Sequence, residues 1–289
     1  MLSKKSMLFS ALLCLCCSLV VVAEQSKTTQ ANLTAAQIVE RNVAARGGLE
    51  GWRAVQSMSW SGKLDAGGGS LERSRRVAEG RGRRGPMEVA NNNDAAAKGE
   101  ANKQPQLPFV LEMKRPGKSR VEIQFAGKTA LQVYDGANGW KVRPFLNRND
   151  VQPFTAEEAK AESEKAELDG PLVDYAAKGT KVELEGVEAV EGRDAYKLKL
   201  TTKTGDVQHI WIDTQNFLDV KVEGAPRRMD GRMRTVWIYQ RDFRPVQGLM
   251  IPFVLVTAVD GYRETHSVVI EKVTVNPKLE DALFTKPKV

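Results

Sequence analysis

The sequence predicts a mainly β protein of the α+β class, a meander of roughly eleven or twelve antiparallel strands that curls into a barrel or part of one. Three observations predict it. From residue 109 onward the chain is a succession of short runs alternating apolar and polar side chains. Turn formers punctuate these runs at hairpin spacing, and only two long segments carry helix-start signatures. With 289 residues, 42% hydrophobic and 27% charged, the chain suits one large β domain or two small ones and excludes a fibre or a wholly disordered chain.

The first element is not part of the fold. Lys4 and Lys5 lead into an apolar run over residues 7–22 that ends in Val21-Val22-Ala23, which reads as a secretory signal peptide cleaved after Ala23. The run is shorter than the ~20 apolar residues of a spanning helix. A lipid-modified cysteine needs small residues before it, and Leu12-Leu13-Cys14 and Leu15-Cys16-Cys17 lack them. All 3 cysteines lie in this segment, so disulfides, thiolate catalysis and cysteine-ligated metals are excluded from the exported product. Loss of Lys4 and Lys5 lowers the formal net charge from +7 to +5, too small an excess to mark a nucleic-acid binder.

A polar linker over 24–33 precedes Thr34 and Gln37, a capping box opening an amphipathic helix through Ile38, Val39 and Val43 that Gly47-Gly48 ends. A short helical turn over 49–55 carries Trp52, and 57–64 alternates as a first strand. Residues 66–108 break the pattern with few large apolar side chains and read as a long disordered insertion. Its Arg73, Arg75, Arg76, Arg81, Arg83 and Arg84 read as a solvated face, with a grip on phosphates or anionic lipid head groups as the alternative.

Strands follow over 109–115, 120–125, 131–134 and 139–142; in the second, Val121, Ile123 and Phe125 alternate with Arg120, Glu122 and Gln124, giving an apolar and a wet face. The pattern resumes after residue 180 with Val182 and Leu184, then Tyr196, Leu198 and Leu200, then Ile210 and Ile212, and closes with three long strands over 233–243, 249–259 and 262–275. Thr155 and Glu158 form a second capping box, opening a very polar helix toward Leu168. Its apolar face is little more than alanine, so it should be held weakly. Such a helix over residues 155–175 can be a lid or a connector with no role.

Catalytic constellations are missing. His209 and His266 sit on different strands without a neighbouring ligand pair, and no Gly-x-Ser-x-Gly elbow occurs. Gly117-Lys118-Ser119 and Gly127-Lys128-Thr129 resemble phosphate-loop tails, but Glu112 and Glu122 stand where the leading glycine belongs. Glu183 and Glu185, or Asp206 and Asp213, read as solvated charges rather than acid/base pairs. The expectation is no enzyme, no catalytic residue, no metal and no cofactor.

Lys114-Arg115-Pro116 followed by Lys118-Ser119-Arg120, Asp135-Gly136 four residues before Trp140, and an ending from Met250-Ile251-Pro252-Phe253 through Asn276-Pro277 to Leu283-Phe284 occur in the order found in one family. On these motifs the chain resembles the LolA-like periplasmic lipoprotein-sorting proteins over residues 34–289, interrupted by the insertion. The resemblance implies an open antiparallel half-barrel of about eleven strands whose concave apolar face binds acyl chains. It implies an N-terminal helix and a lid helix over that face, with Arg115 as the lid contact and Trp140 as its aromatic neighbour. The expected acyl cavity is lined by Val121, Ile123, Phe125, Leu131, Val133, Trp140, Leu198 and Leu200. The expected partners are an acylated lipoprotein or lipid and inner-membrane donor and outer-membrane acceptor proteins, with no nucleic acid, for a periplasmic monomer. A regulatory, envelope-stress sensing module on the same fold is the alternative.

Overall fold

The computed structural model describes residues 33–65, 105–144 and 148–288. The expected signal peptide, the three cysteines, nearly all of the expected polar linker and residues 66–104 of the expected insertion lie outside the described residues. Helix α1 (Ala35–Ala45) starts at the expected capping box: Thr34 Oγ1 accepts from Gln37 N at 3.2 Å, and Gln37 Oε1 accepts from Thr34 N at 2.9 Å. Helix α2 (Leu49–Arg53) buries Trp52.

Thirteen strands form one antiparallel sheet. They are β1 (Ser57–Asp65), β2 (Gln106–Lys114), β3 (Lys118–Phe125), β4 (Lys128–Tyr134), β5 (Gly139–Arg143), β6 (Arg148–Pro153), β7 (Lys181–Val190), β8 (Arg193–Thr201), β9 (Val207–Asp213), β10 (Asp219–Met229), β11 (Arg232–Val246), β12 (Leu249–Val259) and β13 (Thr265–Val275). Helix α3 (Ala156–Lys165) separates β6 from β7, and a 3₁₀ turn (Asp281–Phe284) follows β13. The sheet runs β6-β5-β4-β3-β2-β1-β13-β12-β11-β10-β9-β8-β7 and stays open.

Two expectations are corrected here. Among the described residues the strand total is 13, because β6 (Arg-Asn-Asp-Val-Gln-Pro) is a polar edge strand without an alternating pattern. The insertion gives way to the sheet earlier than residue 108, since Gln106 already pairs with Asp65 at the start of β2.

The long-range pairing of β1 with β13 sets the rest of the topology. It puts the first strand in mid-sheet and leaves β6 and β7, consecutive in the chain, at opposite edges. The connector over residues 154–180 therefore crosses from one edge to the other. Bulges at Ser61/Gly62, Leu184/Gly186, Asp219/Lys221 and Gly224/Arg227 bend the strands and raise their twist.

Register divides the side chains between two faces. Met58, Met113 and Ser119 lie in one row, as do Gly62, Phe109 and Ile123. That face continues through Ile270 on β13, Ile210 and Ile212 on β9 and Tyr196, Leu198 and Leu200 on β8. With Ile38, Val39 and Val43 of α1, Trp52 of α2 and Leu168, Leu172 and Val173 of the connector, these residues form the main core, which marks this face as the concave one. The opposite face is not uniformly wet. Val190, Ala195, Trp211 and Val220 form a second small cluster there, and Lys221 lies 4.1 Å from the Trp211 ring and 4.0 Å from Trp237.

Gly62 sits where the β1–β13 seam bulges, and a Cβ on it would lie 2.0 Å from the Val269 carbonyl oxygen and 2.9 Å from Ile270 Cα. Both are backbone atoms that cannot rotate away. Gly62→Ala is expected to cost about 3 kcal/mol in thermal or denaturant unfolding. Gly224→Ala, whose Cβ would meet only the Val236 and Ile238 side chains at 3.2–3.6 Å, should cost clearly less.

Candidate functional site

The connector is built in two parts. Thr155 caps α3 by accepting from Glu158 N at 3.2 Å, and α3 ends at Lys165, short of the expected 155–175 span. Its polar run gives way to Leu168-Asp169-Gly170-Pro171-Leu172-Val173, in which Gly170 adopts φ +73° and Pro171 cannot continue a helix. Residues 166–179 are turns whose Leu172 and Val173 are 1% and 0% exposed on the concave face.

Charge holds this segment in place. The Asp169 carboxylate, 6% exposed, accepts from Arg115 Nη2 at 2.9 Å and from Lys178 Nζ at 3.0 Å. Its carbonyl accepts from Arg46 Nη1 at 3.2 Å, and the Gly170 carbonyl from Lys178 Nζ at 2.7 Å. Arg115, just past β2, also donates through Nε to the Val55 carbonyl at 2.7 Å and through Nη2 to the Trp52 carbonyl at 3.4 Å, so one guanidinium joins the end of β2, α2 and the connector. Arg53 grips Asp174 through Nε at 3.0 Å and Nη2 at 2.6 Å. Arg46 lies 4.6 Å from the Trp52 ring and 3.5 Å from Asp219, which Asn42 Nδ2 also contacts at 3.1 Å.

These surroundings move acidities. Burial alone would raise the Asp169 carboxyl, but Arg115 and Lys178 outweigh it and hold the group below the usual carboxylate range. Asp219 goes the other way, because burial exceeds what Arg46 and Asn42 return.

Helix α3 lies over β3–β5 on polar contacts. Ser119 Oγ donates to the buried Glu162 at 2.7 Å, Lys141 pairs with Glu158, and Arg143 adds 3.5 Å to the same carboxylate. Burial would raise Glu158, yet Lys141 draws it below the ordinary range. Lys160 reaches Asp206 in the β8–β9 turn at 2.7 Å, so α3 touches strands from both halves of the sheet. A cleft of about 330 Å³ opens where Arg115, Tyr134, Leu168, Asp169 and Lys178 meet, beside the buried stretch of connector.

The eight residues predicted to line one cavity are split. Val121, Ile123 and Phe125 share the concave side with Leu198 and Leu200, of which the last two are 0% and 1% exposed within the core. Leu131 pairs with Glu122 and Val142, and Val133 pairs with Arg120 and Trp140, which puts Leu131, Val133 and Trp140 on the convex face. The Phe125-Ala126-Gly127-Lys128 turn causes this: its two-residue loop pairs Phe125 with Lys128, so Ile123 faces Ala130 rather than Leu131. Sequence reading also missed Arg46, Arg53, Lys141, Asp174 and Lys178. The usable signal was the apolar cluster around Gly170-Pro171, too short for an element and too apolar for a free loop.

His209 lies on the convex face against Glu223 at 2.5 Å, and no group of three or more His, Cys, Asp or Glu placed to hold a metal occurs among the described residues. No helix among them is long and apolar enough to cross a membrane.

No protein-family model matches this sequence, and no curated protein matches it. Solved structures do. A LolA superfamily protein from Nitrosomonas europaea shares 16% identity over 88% of this chain and 99% of its own, with a TM-score of 0.51. A DUF1329 family protein from Desulfovibrio piger shares 13% over 88% and 98%, with a TM-score of 0.53. A domain named for outer membrane lipoprotein sorting, from Vibrio parahaemolyticus, shares 12% over 87% and 96%, with a TM-score of 0.52. At these identities the likeness is one of fold. The chain has the LolA-like fold, an open antiparallel half-barrel with helices over its concave face.

Because the folded-state pKa of Asp169 is depressed, its contribution is fully present above the ordinary carboxylate range and is lost as pH falls through the folded value. Protection of residues 166–179 against hydrogen exchange, taken relative to the intrinsic rate at each pH, should thus be high at neutral pH and fall first, ahead of the sheet, as pH drops below the ordinary carboxylate range. Asp169→Asn, which leaves Arg115 without its carboxylate while Lys178 keeps Glu167, should weaken this protection by about 2 kcal/mol at pH 7. Glu158→Lys should loosen α3, while Glu157→Lys, exposed to solvent, should leave its exchange unchanged.

Proposed function

We propose that this protein is a periplasmic carrier that binds the acyl chains of a lipoprotein or lipid on its concave face and transfers them toward the outer membrane. It acts by binding rather than by turnover. The observation that carries the reading is the connector: a segment with a few apolar anchors, held by charged side chains, covers an otherwise continuous apolar face.

Magnitudes favour an exchange. Exposing Leu168, Leu172 and Val173 costs roughly 5–9 kcal/mol at ~1.5–3 kcal/mol per side chain. Burying a ~16-carbon acyl chain returns about 12 kcal/mol at ~0.8 kcal/mol per methylene. An acyl chain can therefore replace the connector on the same surface, entering beside Arg115 and Asp169, where the cleft lies. The export signal and the fold of the lipoprotein-sorting domain support a periplasmic setting.

One observation favours the second reading, a regulatory module that binds a protein: in this closed form the concave face is filled by its own side chains. Native mass spectrometry with lipid extraction separates the two. A carrier should hold acyl-bearing cargo at one per protein, or take up added lipopeptide. Ile123→Trp, half-buried on the concave face, should reduce uptake at least tenfold, whereas Leu131→Trp, half-buried on the convex face, should not. Absence of lipid together with failure to take up lipopeptide would reject the carrier.

A further inference from the structure

The β10–β11 hairpin runs past its neighbours. The last pair of β11 with β12 is Val236 with Val259, while β11 stays paired with β10 as far as Met229 and Arg232. Four residues beyond that pair, at ~3.3 Å each, make a two-stranded finger about 13 Å long.

Its composition contrasts with the rest of the sheet. Arg227 and Arg234 face each other directly across the finger, a like-charge pairing that disfavours a strand unless an anion is near. Arg228 pairs with Met233, and Arg232 with Met229. Among the described residues none of these four arginines has a carboxylate partner, whereas Lys197, Lys199 and Arg241 elsewhere on the sheet each pair with a glutamate. The one acid of the finger, Asp230, is engaged by the Tyr262 hydroxyl, and Tyr262 also lies 5.9 Å from the Arg234 guanidinium. The finger is thus braced, with Arg227, Arg228 and Arg232 exposed and Arg234 half-buried beside Tyr262. Met233, 57% exposed, stands among the arginines.

We propose that this finger docks the protein on a bilayer surface bearing anionic lipid head groups. Register puts Arg227, Arg232 and Arg234 on one face of the ribbon and Arg228 with Met233 on the other. A protein surface would meet one face only. A head-group layer surrounds the tip, pairs phosphates with both sets of arginines and gives the methionine an apolar place below them. The proposal is independent of the acyl site and is read on protein carrying no lipid.

Sedimentation with vesicles tests it. Purified protein should bind vesicles of phosphatidylcholine with about 30% phosphatidylglycerol, not phosphatidylcholine alone, and be released at about 0.5 M salt. R227Q/R228Q/R232Q should weaken binding about 100-fold, at roughly fivefold per basic side chain, and the matching triple lysine variant should retain it. Equal binding to neutral vesicles, survival of binding at high salt on the unaltered protein, or unchanged binding by the glutamine variant would overturn the proposal. So would binding abolished by neutralising Arg73, Arg75 and Arg76 but kept by the finger variant. The salt and lipid arms use the unaltered protein and stand even if the glutamine variant misfolds.

Discussion

The pairing of β1 with β13 is the constraint on which the rest of the structure depends. A meander whose first and last strands zip together would be a closed barrel if nothing else intervened. Here the seam lies in mid-sheet, and the gap falls between β6 and β7, two strands adjacent in the chain. The connector between them must cross the concave face, and polar backbone that crosses an apolar surface needs partners. Arg46 and Lys178 supply them at the Asp169 and Gly170 carbonyls, while Arg115 holds the Asp169 carboxylate and the Trp52 carbonyl of α2. The cations around Asp169 thus follow from topology as much as from ion pairing.

The two faces of the sheet are stabilised differently. On the concave side the aliphatic rows meet α1, Trp52 and the connector, and burial of apolar area dominates. On the convex side Trp211 and Trp237 meet edge to face at 5.5 Å with Lys221 against both rings, and burial lowers the pKa of that lysine. Glu188 accepts from Trp211 Nε1 at 2.9 Å and pairs with Lys197 at 3.1 Å. This second cluster gives β7–β11 a hold that does not depend on whether the concave face is covered.

Much of this was legible in the sequence, and what was not has identifiable causes. Both capping boxes, the Gly47-Gly48 stop and most strands could be read directly, because each is a local signal of side-chain chemistry and period. Strand β6 escaped because a polar edge strand has no buried face to impose alternation. The division of the cavity residues escaped because alternation gives the period within a strand, while the phase between strands comes from the turn. The Ala126-Gly127 loop carried that phase, and the separation of Ile123 from Leu131 follows from it. The clamp residues Arg53, Asp174 and Lys178 come from segments far apart or from irregular chain, where no period exists to betray them.

A segment anchored at both ends behaves unlike a hinged cover. The connector is fixed at its start, where Phe154 N donates to the Gly139 carbonyl at 2.8 Å, and at its end, where it runs directly into β7, whose first residue Lys181 pairs with Thr201 of β8. It can lift off the concave face but cannot leave it, so it acts as a built-in competitor whose effective concentration, on the order of millimolar for short tethers, is set by chain geometry. Reclosure is then a first-order event within one molecule, indifferent to protein concentration. Under the proposed function, the dwell time of an acyl chain would be tuned by the grip of Arg115 and Arg53 on the connector's Asp169 and Asp174.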